Sequence, residues 1–282
     1  MQRKFNPETA QPFDFLGFFP YGPCMSSPSS AHFERLLSIM EKLRSPDGCP
    51  WDREQTFQSI TPHTLEEAHE VVEAIEKQNF EGLAEELGDL LLQVIFYAQM
   101  AAEEKRFTID DVLQKLCDKL VRRHPHVFGD KKIHDSKTVL QNWEEIKKTE
   151  GKKSVLDGVP KNLPALLRAS RLGEKTSRVG FDFPNIEGVL EKIAEEIQEF
   201  KQAQTSRNSA AEFGDLLFSL VNYARFLNID AEGSLRQCTD RFISRFQWIE
   251  QEAQRTHKHL KDFTPQEWDD LWTKAKEKQP SL

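Results

Sequence analysis

The chain has 282 residues, of which 30% are charged and 38% are hydrophobic, with only 13 glycines. This composition suits one or two globular helical domains and excludes a disordered or fibrous protein. The formal net charge of −8 argues against a general nucleic-acid-binding surface, which needs clustered lysine and arginine. The start lacks the apolar core of a signal peptide and no segment approaches a membrane span, so we expect a cytoplasmic protein.

The first 31 residues differ from the rest of the chain. Residues 1–31 are rich in proline, serine and phenylalanine and show no helical period, so we expect a loose extension there. Helical patterns dominate from Ala31 onward, without a convincing run of alternating strand residues. The sequence therefore predicts an all-α protein.

Three helices are predicted in the first half of the chain. Thr61-Pro62 predicts a helix start, with threonine as N-cap and proline at the first helical position, and this helix should end near Asn79. A second helix should run from about Gly82 to Glu104. A third is predicted to open at Thr108, where two aspartates favour the positive end of the helix.

This helical pattern occurs twice along the chain. The first repeated motif is Thr64-Leu-Glu-Glu-Ala-His-Glu70, which recurs 129 residues later as Ile193-Ala-Glu-Glu-Ile-Gln-Glu199. The second is Glu86-Leu-Gly-Asp-Leu-Leu-Leu92, which recurs 126 residues later as Glu212-Phe-Gly-Asp-Leu-Leu-Phe218. A shorter connection in the second copy explains the change of offset. We predict two helical-bundle modules, at 32–146 and 165–282, joined by a linker at 147–164 that carries charge, glycine and proline.

Each copy carries five carboxylates on its first two predicted helices. On the first copy, Glu67 with Glu70, and Glu86 with Asp89, share a helix face, and antiparallel packing could bring the two pairs together. The segment Leu87 to Met100 is apolar on almost every side, which predicts a buried helix where an unpaired carboxylate is costly. Lysine or arginine could compensate the acids, but converging carboxylates without nearby cysteine favour Mg²⁺ or Mn²⁺.

Glycine occupies the same place in the second predicted helix of each copy. Gly88 and Gly214 each cost a helix about 1 kcal/mol relative to alanine. We attribute both to close helix packing, which would also set the spacing of the carboxylates.

A pair of basic residues follows the acids at the corresponding place in each copy. Because Mg²⁺ prefers phosphate oxygens, a polyphosphate is the natural ligand of such a site. Lys119 with Arg123, and Arg241 with Arg245, lie one helical turn apart, so each pair could clamp phosphates from one side. The alternative is ordinary charge on a helix surface.

A tryptophan and a lysine lie one turn apart near the end of each copy, as Trp143 with Lys147 and as Trp272 with Lys276. Tryptophan is more often a packing residue than a ligand contact. The functional alternative is that the ring stacks on a base while the lysine binds a phosphate.

Together these motifs resemble the MazG-type pyrophosphohydrolases of the all-alpha nucleotide pyrophosphatase superfamily. The resemblance is carried by Glu-Glu-x-x-Glu, by the following Glu-x-x-Asp, and by Gly-Asp-Leu-Leu in the second element. It runs from about His32 to Lys276 and is specific to the tandem form. It also includes Gly48-Cys-Pro-Trp-Asp52, Arg122-Arg-His-Pro-His-Val-Phe128, Leu156-Asp-Gly-Val-Pro160 and Leu163-Pro-Ala-Leu166.

The resemblance implies Mg²⁺-dependent hydrolysis of nucleoside triphosphates to the monophosphate and pyrophosphate, in a homodimer with a house-cleaning or nucleotide-pool role. A metal-activated water would attack the α-phosphorus in line, with Glu66 or Glu195 orienting or deprotonating it. The basic pairs and the Trp-Lys pairs would contact the nucleotide. The implied metal ligands are Glu67, Glu70, Glu86 and Asp89, and Glu196, Glu199, Glu212 and Asp215.

Two rival hypotheses use the same residues. Glu66-x-x-His69 fits a carboxylate-bridged di-iron bundle, but its repeat has Gln198 at the histidine position and neither second helix offers another such motif. The other rival is a non-catalytic helical dimerisation module whose acids are surface charge. Both copies keep their acids, so either one or both could be active.

Overall fold

The computed structural model describes residues 28–129, 133, 135, 138–139, 142–143, 146, 154–203 and 208–278. Within these ranges the chain consists of helices, turns and connections and contains no strand, which confirms the predicted all-α fold class. Among the same residues, no helix combines the length and the apolar character needed to cross a membrane. Contacts divide the chain into two compact units, Met1–Lys131 and Lys132–Leu282.

The first unit is built around two long helices that form an antiparallel hairpin. Its described helices are α1 (Pro28–Arg44), α2 (Pro50–Glu54), α3 (Phe57–Glu76), α4 (Phe80–Glu103), α5 (Ile109–Arg123) and α6 (Pro125–Phe128). Helices α3 and α4 are the hairpin, α1 and α5 pack against α4, and α2 packs against α1.

The core of the first unit lies where α1, α3 and α4 meet. Met40, Ile60, Ile95, Phe96 and Met100 are each at most 4% exposed and form one apolar cluster. Complete burial of such a side chain contributes roughly 1.5–3 kcal/mol. The cluster fixes the hairpin against α1 and so holds the acidic half of α3 in place.

An arginine ties α1 to the end of α4. The guanidinium of Arg44 donates to the carboxylate of Glu103 at 2.7–3.1 Å and also donates to the backbone carbonyl of Asp52. The Arg44 side chain is only 8% exposed. This pairing lowers the pKa of Glu103 below its usual value.

Helix α3 begins before its predicted start. Thr56 is the N-cap, and Thr56 and Ser59 form a capping box. The prediction of Thr61 as N-cap is therefore wrong, because the earlier pair already satisfies the free backbone groups of the first turn. Pro62 lies inside the helix, in its second turn, where it has no N–H to donate to the backbone of the preceding turn.

The other predicted starts agree with the structure within a few residues. Helix α4 runs from Phe80 to Glu103, and α5 has Thr108 as its N-cap in a capping box with Asp111. The predicted loose extension is wrong for residues 28–31, which belong to α1. The remainder of that prediction lies outside the described residues.

The second unit repeats the central hairpin. Its described helices are α7 (Ala165–Ser177), α8 (Ile186–Ala203), α9 (Ser209–Phe226), α10 (Ala231–Arg255) and α11 (Pro265–Lys278), with a 3₁₀ turn at Leu260–Asp262. Helices α8 and α9 are the hairpin, α7 packs against α9 and α10, and α11 packs against α10. Buried apolar side chains on these helices include Val189, Val221, Ile249, Ala253 and Ala275.

One face of each hairpin is apolar and exposed. On α4 the side chains of Leu87, Leu91 and Val94 are 50%, 39% and 41% exposed, so the prediction of a buried helix from Leu87 is wrong for its first half. Burial begins near the core cluster, because only that part of α4 meets α1. The residues at the same positions of α9, which are also exposed, are Phe213, Leu217 and Leu220.

Candidate metal centres

The hairpin of α3 and α4 brings the first set of predicted acids together. Glu67, Glu70 and Glu86 each offer a carboxylate oxygen, and these oxygens all lie within 4.8 Å of one another. Glu67 and Glu70 come from adjacent turns of α3, and Glu86 comes from α4. We call this group the first acidic cluster.

Burial and mutual repulsion raise the pKa of two of these acids. For Glu67 the largest cause is burial, followed by the charges of Asp89 and Glu70. For Glu86 burial again leads, followed by the charges of Glu70 and Glu85. The charge of Asp89, the fourth predicted ligand, contributes to both shifts, but Asp89 is exposed and is not one of the three acids that converge. A divalent cation would relieve this repulsion.

Gln93 is a neighbour of the first acidic cluster that sequence reasoning missed. Its side chain is 7% exposed, and its Nε2 donates to Glu67 Oε1 at 3.5 Å. Its Oε1 has no hydrogen-bond partner among the described residues. Gln93 could have been found from the sequence, because it is a lone polar residue in an apolar segment, one turn after Asp89. Buried polar groups are normally paired, so such a residue indicates a polar partner nearby.

The hairpin of α8 and α9 forms a second acidic cluster. Glu196, Glu199 and Glu212 offer oxygens that all lie within 4.8 Å of one another. Glu196 is 4% exposed, and its Oε2 has no hydrogen-bond partner in the part of the chain that the structure describes. Asp215 lies one turn beyond Glu212 on α9 and is exposed.

Lys192 pairs with the second cluster. Its Nζ lies 2.8 Å from Glu196 Oε1 and 3.1 Å from Glu195 Oε1, and hydrogen bonds to these two carboxylates raise the pKa of Lys192. Burial raises the pKa of Glu199, with Lys192 opposing the shift and the neighbouring acids adding to it. Lys192 was not predicted from the sequence as part of the site, although it lies one turn before Glu196.

The two acids predicted to activate water are both exposed. The Glu66 side chain is 63% exposed and lies 3.5 Å from His63 Nδ1, whereas the Glu195 side chain is 56% exposed and pairs with Lys192. Each directly precedes a clustered acid on its helix. Both carboxylates are therefore accessible to water beside a cluster.

His69, the residue behind the di-iron hypothesis, is exposed and belongs to neither cluster among the described residues. Each cluster holds carboxylates only. The structure thus gathers the oxygen ligands that hard cations prefer and gives the di-iron alternative no histidine ligand there.

The basic pair of the second unit lies next to a predicted base contact. Arg241 and Arg245 are half-buried on α10, and Arg245 Cζ lies 6.0 Å from the centroid of the Trp272 ring. The Trp272 ring also packs against Phe242, at a centroid distance of 5.2 Å, while Lys276 is exposed. Trp272 therefore has packing contacts, and the structure brings it together with Arg245.

The corresponding residues of the first copy are not arranged in the same way. Lys119 and Arg123 are half-buried on α5. Trp143, predicted in the first module, instead belongs to the second unit, where it lines a cavity of about 320 Å³ with Val159, Pro160, Leu163 and others. Lys147 lies outside the described residues.

Gly88 and Gly214 are not explained by close helix packing within their own units. A Cβ atom built on either residue would have no neighbour within 4 Å. The expectation is wrong because both positions lie on the exposed faces of α4 and α9. Within the described chain, no contact requires glycine at either place.

An apolar cavity lies further along the face of α9 that carries Asp215. It has a volume of about 480 Å³, and Phe218, Asn222 and Arg225 of α9 line one side of it, with Phe181 and Leu172 among its other residues. These α9 positions follow Asp215 at helical spacing. None of the clustered acids lines the cavity.

Comparison with known proteins identifies the family of this chain. The family model described as the MazG nucleotide pyrophosphohydrolase domain matches residues 55–128, which include α3 to α5 and the first acidic cluster. A Thermotoga maritima protein named nucleoside triphosphate pyrophosphohydrolase/pyrophosphatase MazG is 49% identical over 247 residues, or 86% of this chain and 95% of that protein. A nucleoside triphosphate pyrophosphohydrolase of Escherichia coli K12 is 42% identical over 259 residues, or 88% of this chain and 98% of that protein. The chain therefore belongs to the MazG family of nucleotide pyrophosphohydrolases.

Proposed function

We propose that this chain hydrolyses nucleoside triphosphates to nucleoside monophosphates and pyrophosphate with Mg²⁺ as its cofactor. The observation that carries the proposal is the convergence of three carboxylates within 4.8 Å on each of two helical hairpins. The names of the Thermotoga maritima and Escherichia coli relatives describe nucleoside triphosphate pyrophosphohydrolases. The acids, the family and the fold all point to the same chemistry.

The residues of both clusters fit a divalent cation. All donors are carboxylate oxygens, the ligands that Mg²⁺ prefers and that Mn²⁺ also accepts. Glu196 supports this fit, because a buried carboxylate oxygen without a partner among the described residues is costly. The ligands that would hold the ion are Glu67, Glu70, Glu86 and Asp89 in the first unit, and Glu196, Glu199, Glu212 and Asp215 in the second.

The protein's own side chains would handle the proton and the phosphates. When bound, Mg²⁺ neutralises phosphate charge and lowers the pKa of water. Glu66 and Glu195, exposed beside the clusters, would accept a proton from the water that attacks the α-phosphorus while the bond to pyrophosphate breaks. Arg241 and Arg245 would bind phosphates next to a base stacked on Trp272, with Lys276 close by; Lys119 and Arg123 would bind phosphates in the first unit.

The test is pyrophosphate release from nucleoside triphosphates with Mg²⁺. Asp89→Asn combined with Asp215→Asn should reduce release about a hundredfold or more, because each change weakens a predicted metal site. The two single variants identify the working cluster or clusters. Asp110→Asn, an exposed residue in the first turn of α5, is the matched control and should keep full activity. Absence of Mg²⁺-dependent release by the wild type would refute the proposed function and favour the non-catalytic dimerisation module, whereas full activity in the double variant would refute the proposed metal ligands.

We also propose that the chain forms a homodimer. The exposed apolar side chains on α4 and on α9 support this, since exposed apolar patches often mark protein–protein contact surfaces. Gly88 and Gly214 lie on the same helices with open space in front of them, which suits close approach of another helix.

Light scattering after size-exclusion chromatography tests the homodimer. The wild type should have twice the mass of the chain, and Leu91→Asp should shift it toward the monomer. Gln114→Asp, on the exposed surface of α5, is the control and should leave the mass unchanged. A monomeric wild type would contradict the homodimer and leave the hydrolase proposal intact.

A further inference from the structure

We infer that Lys192 acts as an internal counter-ion of the second acidic cluster, so that this cluster binds a divalent cation more weakly than the first when no nucleotide is present. The inference rests on the metal sites of the proposed function. It concerns how the two sites differ, which the repeated acids do not reveal.

The second acidic cluster has a positively charged side chain, that of Lys192, in contact with one of its carboxylates. Lys192 and Glu196 lie one turn apart on α8, with Nζ 2.8 Å from Glu196 Oε1. The Glu196 side chain is 5% exposed and that of Lys192 is 35% exposed, so water screens this pair less than a surface pair. Glu195 accepts from the same ammonium group at 3.1 Å. Lys192 thus compensates a buried carboxylate that is grouped with two further acids, Glu199 and Glu212.

The first cluster has a different residue at this position. His63 precedes Glu66 as Lys192 precedes Glu195, at the same offset of 129 along the chain. Its Nδ1 lies 3.5 Å from Glu66, which is outside the group of three clustered acids, and both side chains are largely exposed. The strongest charge effects on Glu67 and Glu86 come from other acids. The first cluster therefore keeps more of its negative charge for an incoming ion.

This difference has a direct consequence for ion binding. A divalent cation that enters the second cluster must either displace the ammonium group from Glu196 or bind within a few ångströms of it. Like charges at that distance repel strongly in a half-buried site. Removal of the lysine charge should therefore strengthen cation binding, whereas a lysine at position 63 should weaken it.

The experiment measures Mn²⁺ binding to the full chain by electron paramagnetic resonance without nucleotide. Glu86→Gln with Asp89→Asn leaves only the second cluster, and Glu212→Gln with Asp215→Asn leaves only the first. The first cluster should bind Mn²⁺ about tenfold more tightly than the second. In the protein with only the second cluster, Lys192→Met should raise the affinity about tenfold, whereas Lys192→Arg, which keeps the charge, should leave it nearly unchanged.

Two further variants complete the test. Lys201→Met removes one positive charge from the last turn of the same helix and should not change Mn²⁺ affinity. His63→Lys, at a partly exposed position that tolerates a long side chain, should weaken binding to the first cluster and remains informative if Lys192→Met fails to fold. If Mn²⁺ binds but neither Lys192→Met nor His63→Lys changes its affinity, the inference about Lys192 is overturned and the proposed function is not affected. An absence of Mn²⁺ binding to either cluster would instead refute the proposed metal sites.

Discussion

The two units carry the same acids in the same order, but different neighbouring side chains compensate the negative charge of these acids in each unit. In the first unit Glu67 lies beside a buried amide, and the acids repel one another. In the second unit the corresponding Glu196 is more deeply buried and pairs with a lysine. A repeated set of ligands therefore does not imply a repeated electrostatic environment, because a single neighbouring side chain changes it.

The contacts that hold the hairpins also differ between the units. In the first unit the arginine comes from α1 and the acid from the end of α4, as Arg44 and Glu103. In the second unit the acid precedes the hairpin and the arginine lies near the end of α9, as Asp182 and Arg225. Both ion pairs link a residue before the hairpin to the end of its second helix, but the acidic and the basic partner have exchanged places. Stability measurements can show how far the two units are equivalent.

The largest expected effect on stability comes from the two cores. Ile95→Ala in the first unit and Ile249→Ala in the second should each lower the free energy of unfolding by about 2–5 kcal/mol, because each removes buried apolar atoms and leaves a cavity. Both side chains are 1% exposed, so the pair is matched. Calorimetry checks the prediction. If the units unfold independently, the two variants shift different transitions; a loss below about 0.5 kcal/mol in either would contradict the prediction.

A smaller effect is expected from the tie between α1 and α4. Glu103→Gln should cost about 1 kcal/mol near neutral pH, since the lost charge-assisted hydrogen bonds are partly exposed to water. Arg44 lowers the pKa of Glu103, so the stabilisation is present above its usual value of 4.5 and is lost as the pH falls through the lowered value. The difference between wild type and variant in urea unfolding should therefore shrink in acid. Asp182→Asn is the counterpart in the second unit.

The smallest effect comes from the helix starts. Thr56→Ala removes the hydroxyl that accepts from the Ser59 amide at an exposed helix start and should cost about 0.5 kcal/mol of stability, the lower end of the range for such caps. Thr108→Ala tests the equivalent cap of α5 and should cost a similar amount. Thr61→Ala, at the position where the sequence predicted the cap, should change stability by less than either when measured by urea unfolding.

Sequence reasoning reached the fold class and the gathering of the acids because both follow from helical periodicity. Residues three or four apart share a face whatever surrounds them, so Glu67 and Glu70 could be paired in advance. The N-cap was misplaced because Thr56-x-x-Ser59 and Thr61-Pro62 both fit known starts, and only the backbone geometry distinguishes them. Lys192 and Gln93 were missed since their importance depends on which side chains pack around them.

The exposed apolar faces also limit how this chain can be divided. A fragment that carried only α3 and α4 would expose the core residues Ile95 and Phe96, which pack against α1 in the intact unit, in addition to Leu91, which is already exposed. Such fragments would be prone to aggregate through these faces, and their activity would then report on the aggregate. Solubility of a fragment is therefore a property to verify before any loss of hydrolysis is attributed to the missing acids.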